Sequence, residues 1–354
     1  MKKIIFISGS MTRGGAERVI SILSNYFVNS GWNVSIITCL HHEIEFDLDP
    51  RIQMIDISNP PRNQLADTPR MIFALKSIIK KEKPDIVLSF MVKISIITAI
   101  ACRGLHVRLF MSERSDPINS RTWVLRQIGE WAYSQATAVV LQTNQVKNCF
   151  HKKVQKKSIV IPNPVTVQAY ASENKEKVIV TVGRLEKPKN YKMLINAFSL
   201  FYQTHPDYRL RFYGTGTLEK KLKNQVRNLG LTDAVDFMGN TMDVHLQIKN
   251  ASLFVLSSDF EGLSNALIEA MMMGLPCIST DCNGADAIID ANESGMIIRR
   301  GDTHALAEAM CKMIDDRKLA ESYAAEAHRR TMSRFSADLI CKQWKALVEG
   351  KKVV

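Results

Sequence analysis

Short apolar segments alternate with longer amphipathic segments along the first half of the chain. The run Lys3–Ser8 is apolar and short enough for a buried parallel strand, and a helix is predicted over 16–30. Further strands are predicted at 34–38, 52–56, 86–90, 107–111, 138–142 and 158–161. Strands that alternate with helices predict parallel βαβ units.

The pattern pauses near the middle of the chain and then starts again. Pro162-Asn163-Pro164 ends the first series, and the polar residues 165–177 form the best linker in the sequence. The second series has strands at 178–182, 210–213, 235–238, 252–257 and 277–280, and helices at 190–203, 218–229, 242–249, 264–273 and 303–329.

These two series predict an α/β protein with two doubly wound, Rossmann-like domains. We place them at 1–164 and 178–335, joined by the linker, with a C-terminal helix over 336–354 that could cross back to the first domain. Open α/β sheets bind ligands at the carboxyl ends of their strands, so the natural site is the cleft between two facing sheets.

The composition is that of an ordinary folded protein without a disulfide or zinc framework. The chain has 354 residues, of which 46% are hydrophobic and 23% charged, which excludes a disordered chain or a collagen-like repeat. Seven scattered cysteines without a CxxC pair indicate reduced thiols. No secretory signal opens the chain, and Lys93 interrupts the longest apolar stretch, 86–102. We therefore expect a cytoplasmic protein that does not span a membrane.

The net charge of +12 concentrates in two basic clusters. Over 71–83, apolar residues recur at three-and-four spacing with lysines on the other face, which predicts an amphipathic helix. The lysines either form a solvated face or attract anionic phospholipid headgroups. Nucleic acid is disfavoured because neither cluster contains interleaved aromatic residues. The two clusters are Lys76, Lys80, Lys81 and Lys83, and Lys147, Lys152, Lys153, Lys156 and Lys157.

A glycine-containing loop follows the first predicted strand and contains Arg13, Gly14 and Gly15. Its spacing is not GxGxxG, so the dinucleotide fingerprint is absent. The two glycines allow positive φ and close backbone approach, and the helix that starts there offers free N–H groups to a phosphate. A simple tight turn is the alternative.

A second loop, 183–190, follows the first strand of the second domain. Gly183 opens it, and Arg184 and Lys189 place two cations at the strand end, where they suit an anionic group that gains charge during a reaction. A solvated run of charges is the alternative.

A third segment combines two carboxylates with the start of a helix. Glu261 lies in a turn, Gly262-Leu263-Ser264 offers backbone N–H groups, and Glu269 follows eight residues after Glu261. Two acceptor carboxylates beside a helix N-terminus suit a ligand with hydroxyls at one end and phosphate at the other. A carboxylate such as Glu269 inside an apolar run needs a partner, whereas Glu261 could simply offset the helix dipole.

Taken together, these motifs resemble glycosyltransferase family 4. The similar segments are Gly14-Gly15-Ala16-Glu17-Arg18, Gly183-Arg184-Leu185 with Lys189-Asn190, and Glu261 to Glu269 as an E-x7-E element, in the family's order over nearly the whole chain. The resemblance implies a GT-B fold, with two domains that face each other across a cleft. It also implies a retaining enzyme that uses a nucleotide sugar and needs no metal or other cofactor.

The resemblance also implies a role for each matching residue. Arg184 and Lys189 would hold the diphosphate and Glu261 would contact the transferred sugar, which makes these three the catalytic set. Glu269 would bind the ribose hydroxyls of the donor. The other donor-side residues are Gly14, Gly15, Gly183, Gly262, Leu263 and Ser264.

One segment departs from the family's pattern. Where many members have a histidine after the strand that ends at Met111, this chain has Ser112-Glu113-Arg114. The stretch is similar to bacterial polysaccharide and O-antigen transferases. Glu113 and Arg114, with Arg13, are candidates for the acceptor side, and a salt-bridged loop is the alternative.

The function implied is transfer of a hexose or N-acetylhexosamine from a nucleotide sugar, with UDP as the nucleotide, in surface polysaccharide synthesis. The acceptor would be an undecaprenyl-diphosphate-linked glycan, and the enzyme would act peripherally at the inner face of the plasma membrane. The first domain would bind the acceptor and the second the donor. A nucleotide-sugar epimerase or hydrolase, or a non-catalytic binding protein, is the alternative.

Overall fold

The computed structural model describes residues 1–12, 14–58, 67–118, 121–241 and 243–353. The chain divides into two compact units. The N-terminal unit comprises Met1–Pro164 together with Ala337–Val354, and the C-terminal unit comprises Val165–Ser336.

The described part of the N-terminal unit contains a parallel sheet of seven strands in the order β3-β2-β1-β4-β5-β6-β7. The strands are β1 (Lys3–Ser8), β2 (Asn33–Thr38), β3 (Gln53–Asp56), β4 (Ile86–Phe90), β5 (Arg108–Ser112), β6 (Ala138–Leu141) and β7 (Ser158–Val160). The helices between them are α1 (Gly15–Asn29), α2 (Thr68–Glu82), α3 (Val92–Ala101), α4 (Trp123–Gln135), α5 (Asn144–Asn148) and α6 (Lys152–Gln155).

The C-terminal unit has a parallel sheet of six described strands in the order β10-β9-β8-β11-β12-β13. The strands are β8 (Glu176–Val182), β9 (Arg209–Tyr213), β10 (Val235–Gly239), β11 (Ala251–Leu256), β12 (Cys277–Thr280) and β13 (Met296–Ile298). The helices are α7 (Tyr191–Tyr202), α8 (Glu219–Asn228), α9 (Val244–Ile248), α10 (Asn265–Met273), α11 (Thr303–Asp315) and α12 (Arg317–Phe335).

The last helix, α13 (Ala337–Val348), belongs to the N-terminal unit. Its Trp344 is fully buried and stacks on Phe90 of β4 with ring centroids 6.2 Å apart. The chain therefore leaves the N-terminal unit after Pro164 and re-enters it at Ala337.

Each face of the N-terminal sheet is covered by its own hydrophobic cluster. One cluster combines side chains of β1, β4 and β5 with α2 to α6, and the other combines side chains of the opposite strand face with α1 and α13. Strands covered on both faces read as continuous apolar runs, which is why the sequence identified them without alternation.

The elements differ from the sequence prediction in a few places. The predicted helix 303–329 is two helices, because Asp316 ends α11 and caps α12 by accepting a hydrogen bond from the Leu319 N–H. Strand β8 starts at Glu176 rather than 178, paired with Ala251 of β11, so the predicted linker ends inside a strand. The short strand β13 was not predicted. Among the described residues, no helix has the length and apolar character needed to cross a bilayer.

Candidate active site

An ion pair joins two loops at neighbouring strand ends of the C-terminal unit. Lys189 lies in a short 3-10 helix, Lys187–Lys189, after β8, and Glu261 follows the adjacent strand β11. The Nζ of Lys189 lies 2.5 Å from Oε1 of Glu261, and the Ser258 hydroxyl donates to the same oxygen over 2.8 Å. Both paired side chains are 17% exposed, so the pair is largely withdrawn from water but still reachable.

The surroundings keep Lys189 charged. Burial disfavours its ammonium, but the negative charge and hydrogen bond of Glu261 outweigh burial and raise the pKa of Lys189. Burial raises the pKa of the neighbouring Tyr191 to about 12. The site therefore holds a permanent cation beside a carboxylate and a neutral phenol.

Backbone and side-chain hydrogen bonds hold the two loops together. The Ser257 hydroxyl donates to the carbonyl of Lys189 over 2.8 Å, and the Asp259 N–H donates to the carbonyl of Pro188 over 2.8 Å. Asn190 adopts a left-handed conformation with φ 42°, caps α7 and donates from Nδ2 to Asp259 Oδ1 over 2.7 Å. These contacts fix where Lys189 and Glu261 meet.

Gly183 is required at its position by the space around Lys189. A Cβ there would lie 2.8 Å from the Tyr191 hydroxyl and 3.0 Å from Cε of Lys189. Gly214 is equally constrained, since its Cβ would lie 2.2 Å from the carbonyl oxygen of Gly183. The sequence identified Gly183 by its place at a strand end; only the structure shows that it makes room for the lysine.

Arg184 lies in the same loop but is exposed. Its charge acts on Glu186, whose pKa is lowered mainly by hydrogen bonds from the backbone and hydroxyl of Thr217 and to a smaller extent by Arg184. Within the described part of the chain its guanidinium makes no hydrogen bond, so it is available to an anionic ligand. The structure thus joins Lys189 to Glu261 and leaves Arg184 beside them in solvent.

Glu269 is buried in α10, where it meets a histidine that the sequence did not single out. Its Oε2 lies 3.1 Å from Nε2 of His245, and the two residues are 5% and 2% exposed. The backbone N–H of Gln168 donates to Nδ1 of the same ring. Because Nδ1 accepts, we assign the proton to Nε2, which donates to the Glu269 carboxylate.

The turn between the two glutamates starts a helix as predicted. Ser264 caps α10 by accepting a hydrogen bond from the Leu267 N–H, and Leu263 is a core residue that is 6% exposed. Gly262 is covered by the loop around Gly284, whose Cβ would lie 2.7 Å from the Gly262 carbonyl oxygen. Packing therefore fixes the turn that carries Glu261.

The glycine loop of the N-terminal unit differs from expectation in its backbone. Gly14 is extended, with φ −143° and ψ 162°, so it does not use the positive φ that the sequence suggested for this pair, and Gly15 is the first residue of α1. A Cβ on Gly14 would lie 2.2 Å from the Glu17 carboxylate, which sits at the first turn of α1. That carboxylate offsets the helix dipole and competes with an anionic ligand. Arg13 lies outside the described residues.

Glu113 is completely buried at the end of β5. Arg121 and the Tyr133 hydroxyl donate to its Oε2 over 2.5 and 2.6 Å, and the backbone N–H of Ser115 donates to Oε1 over 3.0 Å. Burial and the nearby Glu113 charge raise the pKa of Tyr133 well above its usual value. This network favours the salt-bridged loop over an acceptor-binding role for Glu113.

Arg114 is buried as well and packs between two segments of the N-terminal unit. Its Nε donates to the Ser112 hydroxyl over 2.7 Å, its Nη1 donates to Oδ1 of Asn163 over 2.8 Å, and its guanidinium lies 5.4 Å from the Trp344 ring centre. These contacts tie β5 to the end of the first chain segment and to α13, which favours a structural role for Arg114.

Two family descriptions match the chain in sequence. "Glycosyltransferase Family 4" matches residues 13–169, and "Glycosyl transferases group 1" matches residues 164–330. The chain belongs to glycosyltransferase family 4. Its two parallel sheets with interleaved helices form the GT-B fold.

Two relatives of this glycosyltransferase are similar over almost their full lengths. An undecaprenol-linked-glycan α-1,4-N-acetyl-D-galactosaminyltransferase of Campylobacter jejuni is 26% identical over 99% of both chains. A second C. jejuni protein, a diphospho-undecaprenol 4-α-N-acetylgalactosaminyltransferase, is 24% identical over 93% of this chain and 95% of its own. Among solved structures, Anabaena HepE in complex with UDP and glucose has a TM-score of 0.87 and 18% identity, with 99% and 100% of the two chains covered.

Sequence reasoning missed His245 and Ser258 of this glycosyltransferase. Neither belongs to a recognisable spacing, and His245 touches Glu269 only because α9 packs beside α10. The sequence contains one indication of such a partner. Glu269 lies in an apolar helical run, where a carboxylate needs a hydrogen-bond donor. Among the described residues, no group of three or more histidine, cysteine or acidic side chains could hold a metal ion.

Proposed function

We propose that this glycosyltransferase moves a hexose or N-acetylhexosamine from a UDP-sugar to an undecaprenyl-diphosphate-linked glycan in bacterial surface polysaccharide synthesis. The observation that carries the proposal is the Lys189–Glu261 pair at adjacent strand ends, directly before a helix that bears Glu269. The activities of the two C. jejuni relatives support the lipid-linked acceptor. The UDP and glucose bound to HepE support the donor class.

The ion pair fits a donor that brings both negative charge and hydroxyls. A diphosphate approaching Lys189 competes with Glu261 for the ammonium, and Arg184 adds a second cation from the exposed part of the loop. Glu261, released from Lys189, then accepts hydrogen bonds from the sugar hydroxyls. Glu269, oriented by His245, accepts from the ribose. The backbone of Gly262-Leu263-Ser264 lies beside the sugar and phosphate.

We propose a front-side reaction that retains the anomeric configuration. The bond between the anomeric carbon and the diphosphate oxygen breaks while the acceptor hydroxyl oxygen bonds to the same face. The departing diphosphate oxygen takes the hydroxyl proton, and Lys189 and Arg184 stabilise its charge. Stabilisation of a leaving group by one such contact contributes about 3–4 kcal/mol. This chemistry needs neither a metal nor a general base.

The test supplies radiolabelled nucleotide sugars to the full chain together with a synthetic polyprenyl-diphosphate glycan. Label in the organic phase from a UDP-sugar supports transfer. Water-soluble free sugar in its place would mean hydrolysis and would overturn the proposal, as would no consumption of any donor. Proton NMR of the product reads the anomeric configuration, and an inverted centre contradicts the front-side step. Activity lost in EDTA and restored by magnesium would contradict metal independence.

A matched pair of variants locates the chemistry. Lys189→Gln removes the cation of the pair, and Lys192→Gln removes an exposed cation of α7 three residues later. We expect the first variant to lose transfer by about a hundredfold and the second to be unchanged. If the two variants were equally active, the Lys189–Glu261 ion pair would have no role in catalysis.

A further inference from the structure

The helices on the two faces of the N-terminal sheet differ in what they present to solvent. Helices α2 to α6 pack on one face and α1 and α13 on the other. We call the first group the α2–α6 layer. Within the described helices of this unit, all the exposed large hydrophobic side chains lie on that layer: Phe73, Ile100, Trp123, Val124, Ile128 and Trp131.

Helix α4 presents the centre of this apolar surface. Trp123 is 72% exposed and Trp131 43% exposed, and their spacing of eight residues places them on the same side of the helix, with Val124 and Ile128 beside them. Buried side chains occupy the opposite side. Gly129 lies against α3, where a Cβ would come within 2.5 Å of Val92 Cγ2. An exposed helix face with two tryptophans is costly in water unless something covers it.

The charged residues of α4 point away from its exposed face. Nε of Arg126 lies 4.0 Å from Oε1 of Glu130. Nη2 of Arg126 also donates over 3.1 Å to the carbonyl of Cys149, which follows the end of α5. Glu130 also lies 3.5 Å from the ring of His151. The outward face of the helix therefore carries no charge.

The layer that carries this uncharged face is rich in cations. Helices α2 to α6 carry nine lysine and arginine residues and two acidic residues, whereas α1 and α13 together carry three basic and two acidic residues. Both acids of the layer are already paired, Glu82 with Lys3 and Glu130 with Arg126. Lys152 and Lys153 are exposed on α6, which packs against α4, and Lys76 and Lys80 are exposed on α2.

We propose that the α2–α6 layer docks on an anionic phospholipid bilayer. The indoles of Trp123 and Trp131 enter the headgroup region, where tryptophan is favoured because one edge is apolar and the N–H can reach water. The lysines of α2 and α6 meet lipid phosphates on either side. A second copy of the chain is a poor occupant, because pairing two such layers would oppose like charges. The inference rests on the proposed function only in that a lipid-linked acceptor places the enzyme at a membrane.

The distribution of tryptophans makes the docking directly observable. The chain has four, of which Trp32 and Trp344 are 4% and 0% exposed and the other two lie on α4. Vesicles of phosphatidylglycerol and phosphatidylcholine, without donor or acceptor, should shift the emission of the full chain to the blue, and brominated lipid should quench it. Phosphatidylcholine vesicles alone should have a much smaller effect. No substrate is present in this experiment, so a lack of vesicle binding would not contradict the proposed transferase activity. A lack of transferase activity would likewise not contradict vesicle binding.

Variants with matched controls decide whether this surface is responsible. Lys152→Gln with Lys153→Gln should weaken partitioning by about thirtyfold, from ~1 kcal/mol per lysine. Lys220→Gln with Lys221→Gln makes the same change of net charge on exposed residues of α8 and should have no such effect. Trp123→Ser should weaken binding by at least about tenfold, while Tyr170→Ser, an exposed aromatic residue of the C-terminal unit, should not.

Circular dichroism and the melting temperature establish that each variant is folded. The inference is overturned if the chain ignores anionic vesicles, if the α4 and α6 variants bind as well as their controls, or if the tryptophan emission shifts with protein concentration alone, since that would identify a second copy as the occupant.

Discussion

Oε2 of Glu269 lies 3.1 Å from Nε2 of His245, and both side chains are buried. The histidine ring is fixed from its other side by the Gln168 backbone N–H. The carboxylate that the sequence selected as a ligand group is therefore positioned by a residue that the sequence did not select. Variants of His245 can therefore distinguish an effect on UDP binding from an effect on the stability of the fold.

We predict that His245→Phe weakens UDP binding and that His245→Gln largely preserves it. Phenylalanine leaves the buried Glu269 oxygen without this donor, which costs about 1–3 kcal/mol, whereas the glutamine amide can donate from a similar position. Calorimetric titration with UDP and thermal melting measure the two effects. If both variants bind UDP like the parent chain, the His245 contact does not position Glu269 for UDP binding.

Arg184 offers a variant that should change activity without changing stability. Its side chain is exposed, so Arg184→Ala should leave the melting temperature unchanged while lowering kcat by about a hundredfold through loss of charge stabilisation at the diphosphate. Lys187→Ala, an exposed cation three residues later in the same loop, is the control and should retain activity. Similar activity in the two variants would remove Arg184 from the catalytic set.

Gly14 should tolerate alanine because its backbone is extended and its one close neighbour can move. Its φ of −143° suits alanine, and the added Cβ would meet only the Glu17 carboxylate, which is the far end of a flexible side chain. We predict that Gly14→Ala changes the free energy of unfolding by less than about 1 kcal/mol, because the carboxylate turns aside. Chemical denaturation of Gly14→Ala, Glu17→Ala and the double variant measures the effect. A larger loss that Glu17→Ala recovers would show that the carboxylate cannot turn aside.

Alkaline pH should destabilise the chain through its buried thiols. Burial raises the pKa of Cys39, Cys102 and Cys341 to about 12, above the ordinary value of 9.0. Thiols whose pKa is raised on folding stabilise the native state below pH 9, and this stability is lost as the pH rises from 9 towards 12, because only the unfolded chain releases the protons. At pH 10 the loss is about 1.4 kcal/mol per thiol.

Urea unfolding under reducing conditions at pH 8 and pH 10 measures the loss of unfolding free energy. Cys341→Ala should make this loss smaller by about 1.4 kcal/mol, the contribution of one thiol. A stability that does not fall between these two pH values would contradict the prediction.

The strands and the glycine-rich strand ends could be predicted because they depend on local sequence. The apolar runs around Ile5 and Phe254 fit only buried parallel strands, and the loops at Gly183 and Glu261 follow them directly. The position of a loop at a strand end follows from the order of residues along the chain, so the sequence alone can predict it.

What could not be predicted depends on contacts between distant residues. Whether Glu113 faces a ligand or a buried ion pair is decided by Arg121 and Tyr133, which arrive from a later loop and helix. Likewise, the break at Asp316 lies in a continuous helical pattern, and its cap is visible only once the backbone is known.

The return of α13 bears on how the protein is made. Phe90 lacks its stacking partner Trp344 until residue 344 has been synthesised, so the sheet of the N-terminal unit is covered only after the sheet of the C-terminal unit has been made. During that interval the whole second unit can fold, while an apolar face of the first stays uncovered. Nascent chains of this enzyme should accordingly depend on chaperones until residue 344 has left the ribosome.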